Sequence, residues 1–189
     1  KKPMKGLKKN LAAILIAHPD AELFCFDEAR FGTHSKLGHG WFPKGSRTGV
    51  KVSLGYQNFY VYGAANPTSG KNFILLLPNV NTACMNVFLE EFALELGDKK
   101  AIVIMDGAGW HKSKDLLVPK NIIPVFLPAY SPELNPIERL WLHIKHHVIR
   151  NRIYESVSKL EDEVCAFINN LDLQTVSSIC ALNYLSSYM

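Results

Sequence analysis

The stretch AIVIMDGAGWH (residues 101–111) contains five apolar residues, then Asp106, then a glycine-containing turn. A short, unbroken apolar run bounded by turn residues is typical of a strand that is buried on both faces of a sheet. The stretch ELFCFDEARFG (residues 22–32) has the same order, because the apolar run 23–26 is followed by Asp27. We therefore predict two buried strands, each with an aspartate at or near its end.

The segments around these strands predict further strands and helices. Residues 50–78 indicate two strands joined by an Asn-Pro-Thr-Ser-Gly turn, and residues 122–128 indicate a short strand in which Pro124 is tolerated only at an edge or at the strand start. Helices are predicted at 81–96, from Asn135 onward, at 160–171 and after Thr175. The segment 39–47 is predicted as a loop or hairpin. Strands grouped first and then alternating with helices indicate an α/β fold with a mixed central sheet flanked by helices.

The composition favours one large globular domain. The chain has 189 residues, of which 48% are hydrophobic, enough for one substantial core. The apolar run 11–17 is too short to span a bilayer, and the His-Pro-Asp that follows it does not fit a signal-peptide cleavage site. We predict a short amphipathic helix there and no membrane partner. The four cysteines have no CxxC spacing, so we expect a reduced, intracellular protein without a cysteine zinc site.

The positive charges are concentrated in two internal zones and at the start of the chain. The net charge is +4, and five lysines lie within the first nine residues. Acidic residues are absent from 29–89 and from 139–154. Such zones suit a phosphate backbone on one side of the molecule. The basic residues that we predict to bind DNA from these zones are Lys44, Arg47, Lys145, Arg150 and Arg152.

The two aspartates predict a cation site. If their strands are neighbours, the strands lie about 4.8 Å apart, and carboxylates at matching heights are forced together. The repulsion is relieved when one pKa rises or when a cation lies between them. Mg²⁺ or Mn²⁺ fits better than zinc, because no histidine or cysteine accompanies either aspartate at ligand spacing.

Glu138, in SPELNPIERLW (residues 131–141), has two possible roles. Asn135 and Glu138 stand at the N-cap and N3 positions of the predicted helix, which is the spacing of a capping box. Alternatively, Glu138 is a metal ligand. It lies about 100° around the helix from the apolar residue Ile137, and could face the two aspartates from the flank of the packed stripe. Lys145, seven residues on, returns to the same flank and could hold phosphate beside a metal.

Three segments of the chain resemble the acidic motifs of a known family. FDEARFG (26–32), VIMDGAGWH (103–111) and LPAYSPELNPIERLWLHIKHHV (127–148) resemble those of the DDE transposases of the IS630, Tc1 and mariner superfamily, in the right order. The resemblance covers roughly residues 22–150 and is most specific in the third motif. The chain departs from the family pattern at Gly107, where many relatives have Asn. The spacing between the second and third acids, Asp106 and Glu138, is also slightly short.

The resemblance implies a ribonuclease H-like fold with Asp27, Asp106 and Glu138 as the catalytic and metal-binding triad. It also implies two Mg²⁺ or Mn²⁺ ions, hydrolysis of transposon ends, and strand transfer into target DNA, so the expected partner is double-stranded DNA. His111 either touches the substrate phosphate, as a DNA-binding residue, or braces its loop. His143, His146 and His147 have zinc-compatible helical spacing, although a DNA-facing or solvated basic face is the stronger interpretation.

The same resemblance predicts the domain organisation and leaves two alternative functions. We expect residues 1–20 to be a residual interdomain linker and helix that followed DNA-binding modules, and 21–189 to be the catalytic domain, with C-terminal helices from 152 to 189. A homodimer is expected, in the cytoplasm of a bacterium near its nucleoid or in a eukaryotic nucleus. Two alternatives stay open: another ribonuclease H-like nuclease that cleaves DNA or RNA, and a domesticated, inactive DNA-binding or assembly protein.

Overall fold

Ten helices and strands form the part of the chain that the structure describes. The structure is a computed structural model that describes residues 2–34, 44–45, 54–129 and 131–182. The elements in chain order are α1 (Lys2–Ala17), β1 (Glu22–His34), β2 (Leu54–Ala65), β3 (Asn72–Leu77), α2 (Thr82–Leu96), β4 (Ala101–Met105), β5 (Ile122–Phe126), α3 (Ile137–Val148), α4 (Val157–Asn169) and α5 (Leu173–Cys180). Short 3-10 helices at Gly109–Lys112 and Pro132–Leu134 precede β5 and α3.

The strands form one mixed sheet, as the sequence predicts. The strand order is β3-β2-β1-β4-β5. The pairs β1–β2 and β2–β3 are antiparallel, whereas β1–β4 and β4–β5 are parallel. Pro124 lies in β5, at the edge of the sheet, where its missing N–H leaves no gap in an inner ladder. The two predicted aspartate strands, β1 and β4, are direct neighbours in the middle of the sheet.

Strand β1 is longer than the sequence predicts. The apolar pattern places Asp27 at or near the end of its strand, but β1 continues to His34. The extension exists because β2 pairs with β1 in antiparallel register from Cys25↔Ala65 to His34↔Leu54. Pairing with β4, in contrast, stops at Cys25↔Ile104. Asp27 therefore lies within the strand but just beyond the part that β4 covers.

The two faces of the sheet carry separate apolar layers. On one face, β1 contributes Phe24 and Phe26 to a cluster with the buried stripe of α2. On the other face, Cys25, Ala29 and Phe31 pack with the helices α1, α3, α4 and α5. Because successive side chains of a strand alternate between faces, Asp27 faces the α3 layer and Glu28 faces the α2 layer. Asp27 and Glu28 therefore point to opposite sides of the sheet.

The predicted helices are present, with shifted boundaries toward the end of the chain. The side chain of Asn81 caps α2 by accepting from the N–H of Cys84, and the predicted stripe of α3 is buried. Helix α4 begins after Ser156, earlier than predicted, and α5 begins after Asp172. Both cap residues accept a hydrogen bond from an N–H three residues on, which fixes where these helices start.

Helix α1 is longer than the predicted helix and packs against the sheet layer that contains α3. It starts at Lys2, and Leu7 and Leu11 are buried in the shared core. The domain boundary near residue 20 stays a prediction, although these contacts tie α1 to the same core as α3. None of the helices in the described part of the chain combines the length and apolarity needed to cross a membrane.

Candidate active site

Asp27 and Asp106 lie at matching heights along two neighbouring parallel strands, with Asp106 directly after the end of β4. The last pair of the β1–β4 ladder is Cys25↔Ile104, and two further residues along each chain segment lead to Asp27 and Asp106. Adjacent strands are about 4.8 Å apart. The structure therefore brings together the two aspartates that the sequence placed on separate buried strands, as predicted.

Asp27 is held by Trp141 of α3. The indole N–H of Trp141 donates to Oδ2 of Asp27 at 3.1 Å. Gly63, the β2 partner of Asp27, leaves room for this ring, since a Cβ at position 63 would lie 2.5 Å from Cη2 of Trp141. Burial, together with the negative charges of Glu138 and Glu28, raises the pKa of Asp27 to about 8. Its carboxylate is fixed in orientation and has no compensating cation among the described residues.

Asp106 is fixed by the turn that follows β4. Its Oδ1 accepts the N–H of Ala108 at 3.1 Å and lies 2.7 Å from Nδ1 of His111. The other ring nitrogen of His111, Nε2, lies 2.9 Å from Oε1 of Glu28. Trp110 donates its indole N–H to the same Glu28 oxygen at 3.1 Å. A chain of contacts thus runs from the α2 side of β1 through His111 to Asp106.

His111 braces this turn. Its side chain is 1% exposed and the side chain of Glu28 is 6% exposed. Burial acts to lower the pKa of His111, but the hydrogen bond to Glu28 and the charges of Glu28 and Asp106 outweigh burial and raise it. A protonated ring can donate from both nitrogens to the two carboxylates. The burial is at odds with the prediction that His111 binds DNA, and supports the alternative that it braces the loop. Glu28 is an ion-pair residue of this turn.

Glu138 does not form the predicted capping box. The N–H of Asn135, which Glu138 would have capped, donates instead to the carbonyl of Pro132 at 2.8 Å, and Pro136 occupies the N-cap position. Glu138 lines the same cavity as Asp27 and Asp106. The capping alternative is wrong, and the position of Glu138 fits the alternative role as a ligand.

Asn135 joins the start of α3 to the central strand. Its side-chain N–H donates to the carbonyl of Phe26 at 2.8 Å, one residue before Asp27. Asn135 is 4% exposed. Its Oδ1 is buried and has no hydrogen-bond partner among the described residues, and Asn135 lines the cavity beside the three acids. A buried acceptor without a donor is costly, so this oxygen marks a place for a donor or a cation.

The three acids line one cavity of about 420 Å³. Within residues 2–34, 44–45, 54–129 and 131–182, no three His, Cys, Asp or Glu side chains lie close enough to chelate a single ion. The acids therefore share a cavity without forming a finished three-ligand cage. The chemistry of the site nevertheless fits a hard divalent cation, because its donors are carboxylate oxygens, the pKa of Asp27 is raised, and Oδ1 of Asn135 lacks a partner among the same residues.

None of the other predicted DNA-binding residues that the structure describes lines this cavity. Lys44 is exposed in a turn, and Arg47 lies outside the described residues. The ammonium of Lys145 lies 5.1 Å from the centre of the Phe31 ring. Arg150 contacts His146 of α3, four residues before it, and Arg152 lies 3.7 Å from Glu163 of α4. Helix α3 continues for ten residues from Glu138 to its last residue, Val148, about 15 Å along the helix, and both arginines follow that end of the helix.

The predicted histidine cluster also lies beyond the cavity. His143 and His147 contact each other and the Phe167 ring. They form no three-residue metal group within the described residues. This arrangement favours a packed, partly solvated helix face over the zinc alternative.

Sequence reasoning missed three residues at the site. The periodic pattern assigns Trp141 only to the apolar stripe, although an indole on a buried face needs a partner for its N–H. The same pattern indicates only a helix cap for Asn135. Lys112 is not singled out by any motif, but it lines the cavity with the acids. The available signal for Lys112 is its position six residues after Asp106, just past the glycine turn.

The fold and the site together place the chain in the class of nucleases that have an acidic, ribonuclease H-like catalytic core. The family described as "DDE superfamily endonuclease" matches residues 22–161, so the chain belongs to this family. The predicted ribonuclease H-like fold and the predicted membership among DDE transposases of the IS630, Tc1 and mariner type are confirmed. The chain is accordingly a DDE enzyme.

Individual relatives differ in how much of their length the chain spans. "Uncharacterized protein y4pE/y4sA" of Sinorhizobium fredii (strain NBRC 101917 / NGR234) is 39% identical over 113 residues, 59% of this chain and 84% of that protein. "Insertion element IS630 uncharacterized 39 kDa protein" of Shigella sonnei is 25% identical over 173 residues, 89% of this chain and 50% of that protein.

A solved structure shares the fold. In "Mos1 transposase paired-end complex with left transposon end", the matching chain has a TM-score of 0.72 and 16% identity, with 94% of this chain and 57% of that chain covered. The chain thus spans about half the length of the IS630 relative and somewhat more than half of the Mos1 chain.

Proposed function

We propose that this chain is the catalytic domain of a transposase that cuts DNA at the ends of a mobile element and joins them to target DNA. The observation that carries the proposal is the shared cavity of Asp27, Asp106 and Glu138, which come from three distant segments of the chain. Membership in the DDE endonucleases supports the cutting reaction. Strand transfer, transposon ends and target DNA are inferred from the resemblance to transposases.

The three acids would hold divalent metal, for which we propose two Mg²⁺ or Mn²⁺ ions. When bound, such a pair activates an attacking water or 3′-hydroxyl and stabilises the leaving oxygen of the phosphodiester. The protein positions the donors: Trp141 fixes one oxygen of Asp27, and His111 with the N–H of Ala108 fixes one oxygen of Asp106. Glu138 projects from the first turn of α3. No side chain needs to form a covalent bond with the substrate.

The proposed partner is double-stranded DNA, bound weakly and with little sequence preference by this domain. Lys44, Arg47, Lys145, Arg150 and Arg152 stay proposed DNA contacts. Their charges add sequence-independent affinity that falls with salt. A homodimer, and a location in the bacterial cytoplasm beside the nucleoid, are part of the same proposal; the two bacterial relatives support this location over a nucleus.

A nicking assay tests the proposal. The 189-residue chain is incubated with supercoiled plasmid at low salt in Mg²⁺, Mn²⁺ or EDTA, and in parallel with an RNA duplex. We expect metal-dependent nicking of DNA, and its loss in Asp106→Asn, which keeps the size and turn contacts of the side chain but removes its charge. Glu90→Gln on the exposed face of α2 is the matched control and should cut normally.

Three outcomes contradict the proposal. Cutting that persists in Asp106→Asn removes this residue from the mechanism. Preferential cutting of RNA indicates the other ribonuclease H-like nuclease. A folded wild-type chain that never cuts indicates the inactive DNA-binding or assembly protein.

A further inference from the structure

We propose that Lys112 binds the phosphate group that is attacked in the active-site cavity, and that Gly107 is there to leave space for it. This inference rests on the proposed function and adds a residue to its substrate contacts. The acids supply metal ligands but only negative charge, whereas the substrate is itself an anion. A cation of the protein that faces the same cavity would offset that charge and orient the phosphate.

Lys112 is fixed next to the acids by its place in the chain. It ends the 3-10 helix Gly109–Lys112, and its neighbour His111 is buried between Glu28 and Asp106. The backbone that carries Lys112 is therefore tied to the turn that positions Asp106. The side chain of Lys112 lines the cavity, with its ammonium 5.0 Å from the centre of the Phe126 ring. A cation over an aromatic face is stabilised while it stays available to an anion.

Gly107 and the ammonium of Lys112 occupy complementary space. A Cβ at position 107 would lie 2.5 Å from Nζ and 3.2 Å from Cε of Lys112. Gly107 is not among the described glycines with positive φ, so its backbone does not require glycine. What the missing side chain provides is room for the lysine head.

Lys112 suits this role better than the lysine that the sequence suggested. The sequence predicts that Lys145 holds phosphate beside a metal, but its ammonium lies over Phe31. Phe31 is four residues beyond Asp27 on β1, roughly 13 Å along a strand. Lys112 instead shares the cavity with Asp27 and Asp106. Its ammonium forms no ion pair with a carboxylate in the described part of the chain, and is therefore available to a phosphate.

A double-mutant cycle on the 189-residue chain tests the inference. Plasmid nicking is measured for wild type, Lys112→Ala, Gly107→Ala, the double variant and Lys112→Arg. Lys114→Ala is the matched control, because this exposed lysine lies two residues on and outside the cavity lining. Thermal unfolding is followed for every variant, so that a loss of fold is separated from a loss of contact.

We expect Lys112→Ala to lower kcat/KM about 10- to 100-fold, the effect of losing one hydrogen bond to a charged group. Lys112→Arg should keep most activity and Lys114→Ala all of it. Gly107→Ala should displace the ammonium and lower kcat/KM in the wild-type background, but should have no further effect in Lys112→Ala. The dependence of log kcat/KM on log salt should become less steep by about 0.9 in Lys112→Ala, since one phosphate contact is lost.

A second readout does not depend on turnover. The affinity for a fluorescein-labelled duplex of about 30 bp, measured by anisotropy in EDTA, should show the same reduction in salt dependence for Lys112→Ala. If Lys112→Ala matches wild type in kcat/KM and in both salt slopes, the inference is overturned. The same holds if Gly107→Ala impairs both backgrounds equally. In each case wild-type nicking shows that the proposed function survives, whereas an inert wild type overturns both proposals.

Discussion

Replacing Asp27 by asparagine should stabilise the metal-free protein at alkaline pH. The pKa of Asp27 rises from 3.8 to about 8 because of burial and the neighbouring charges of Glu138 and Glu28. Between these values the folded protein keeps a proton that the unfolded chain has lost. The free energy of unfolding of the wild type therefore falls as pH rises from about 4 to about 8. The amide of the Asp27→Asn variant has no charge to bury and avoids this loss.

The size of the effect follows from the shift. The pKa of Asp27 differs by about four between the folded and the unfolded protein, and each pH unit corresponds to roughly 1.36 kcal/mol. The upper bound on the loss of unfolding free energy is therefore about 5 kcal/mol. Relaxation and water entry into the open cavity reduce it, so we expect Asp27→Asn to exceed wild type by about 2–4 kcal/mol at about pH 9. The two proteins should converge near pH 4, where the wild-type carboxyl becomes protonated in both states.

Urea denaturation in EDTA, followed by circular dichroism from about pH 4 to about pH 9, measures this difference. Glu90→Gln serves as the control for removing an exposed carboxylate, and should stay within about 0.5 kcal/mol of wild type. If Asp27→Asn and wild type lose stability in parallel across this range, the carboxyl of Asp27 does not hold its proton in the folded state and the argument from its burial is wrong. Adding Mn²⁺ should stabilise wild type more than Asp27→Asn, because the variant lacks one proposed ligand.

Three further variants test the contacts around the acids. Trp141→Phe removes the N–H that Asp27 accepts and should lower the nicking rate about 10- to 100-fold; an unchanged rate in the folded variant would refute a positioning role. Gly63→Ala should cost about 1–3 kcal/mol in urea denaturation because its Cβ meets the indole. That cost should shrink in a Trp141→Phe background, and an equal cost in both would show that the ring is not the obstacle. Glu28→Gln should lower the pKa of His111, measured by NMR titration of its ring protons, and an unshifted titration would contradict the buried ion pair.

The periodic helices are predictable because their pattern matches how they are packed. Five apolar residues stand at helical spacing in this part of the sequence, and all of them are buried on α3: Ile137, Leu140, Trp141, Ile144 and Val148. The spacing of apolar residues within one short segment is enough to predict such a helix. The length of β1 cannot be predicted in the same way, because its extension beyond Asp27 depends on pairing with β2, a contact between residues far apart in sequence.

The acidic site is predictable as a set of residues but not in its supporting contacts. Asp27 and Asp106 each follow an apolar run in the sequence, and the parallel pairing of β1 with β4 aligns them. The sequence alone does not decide between a capping box and a metal ligand for Glu138, because Asn135 and Glu138 have the spacing of a capping box whether or not one forms. The structure separates the two, since the N–H of Asn135 is already bonded to Pro132. The N–H of Asn135 is occupied because of the 3-10 helix before α3, and the sequence pattern does not reveal the geometry of that helix.

Two glycines explain why the supporting residues are hidden in the sequence. Gly63 leaves room for the ring of Trp141 beside Asp27, and Gly107 leaves room for the ammonium of Lys112 beside Asp106. Neither is among the described glycines with positive φ, so each is required for space rather than for backbone conformation. A glycine that is needed for space has no recognisable sequence pattern, because its role depends on a side chain that is distant in the sequence. In this fold each of the two aspartates has such a gap beside it, and the side chains that fill the gaps are the ones that sequence reasoning assigned elsewhere or passed over.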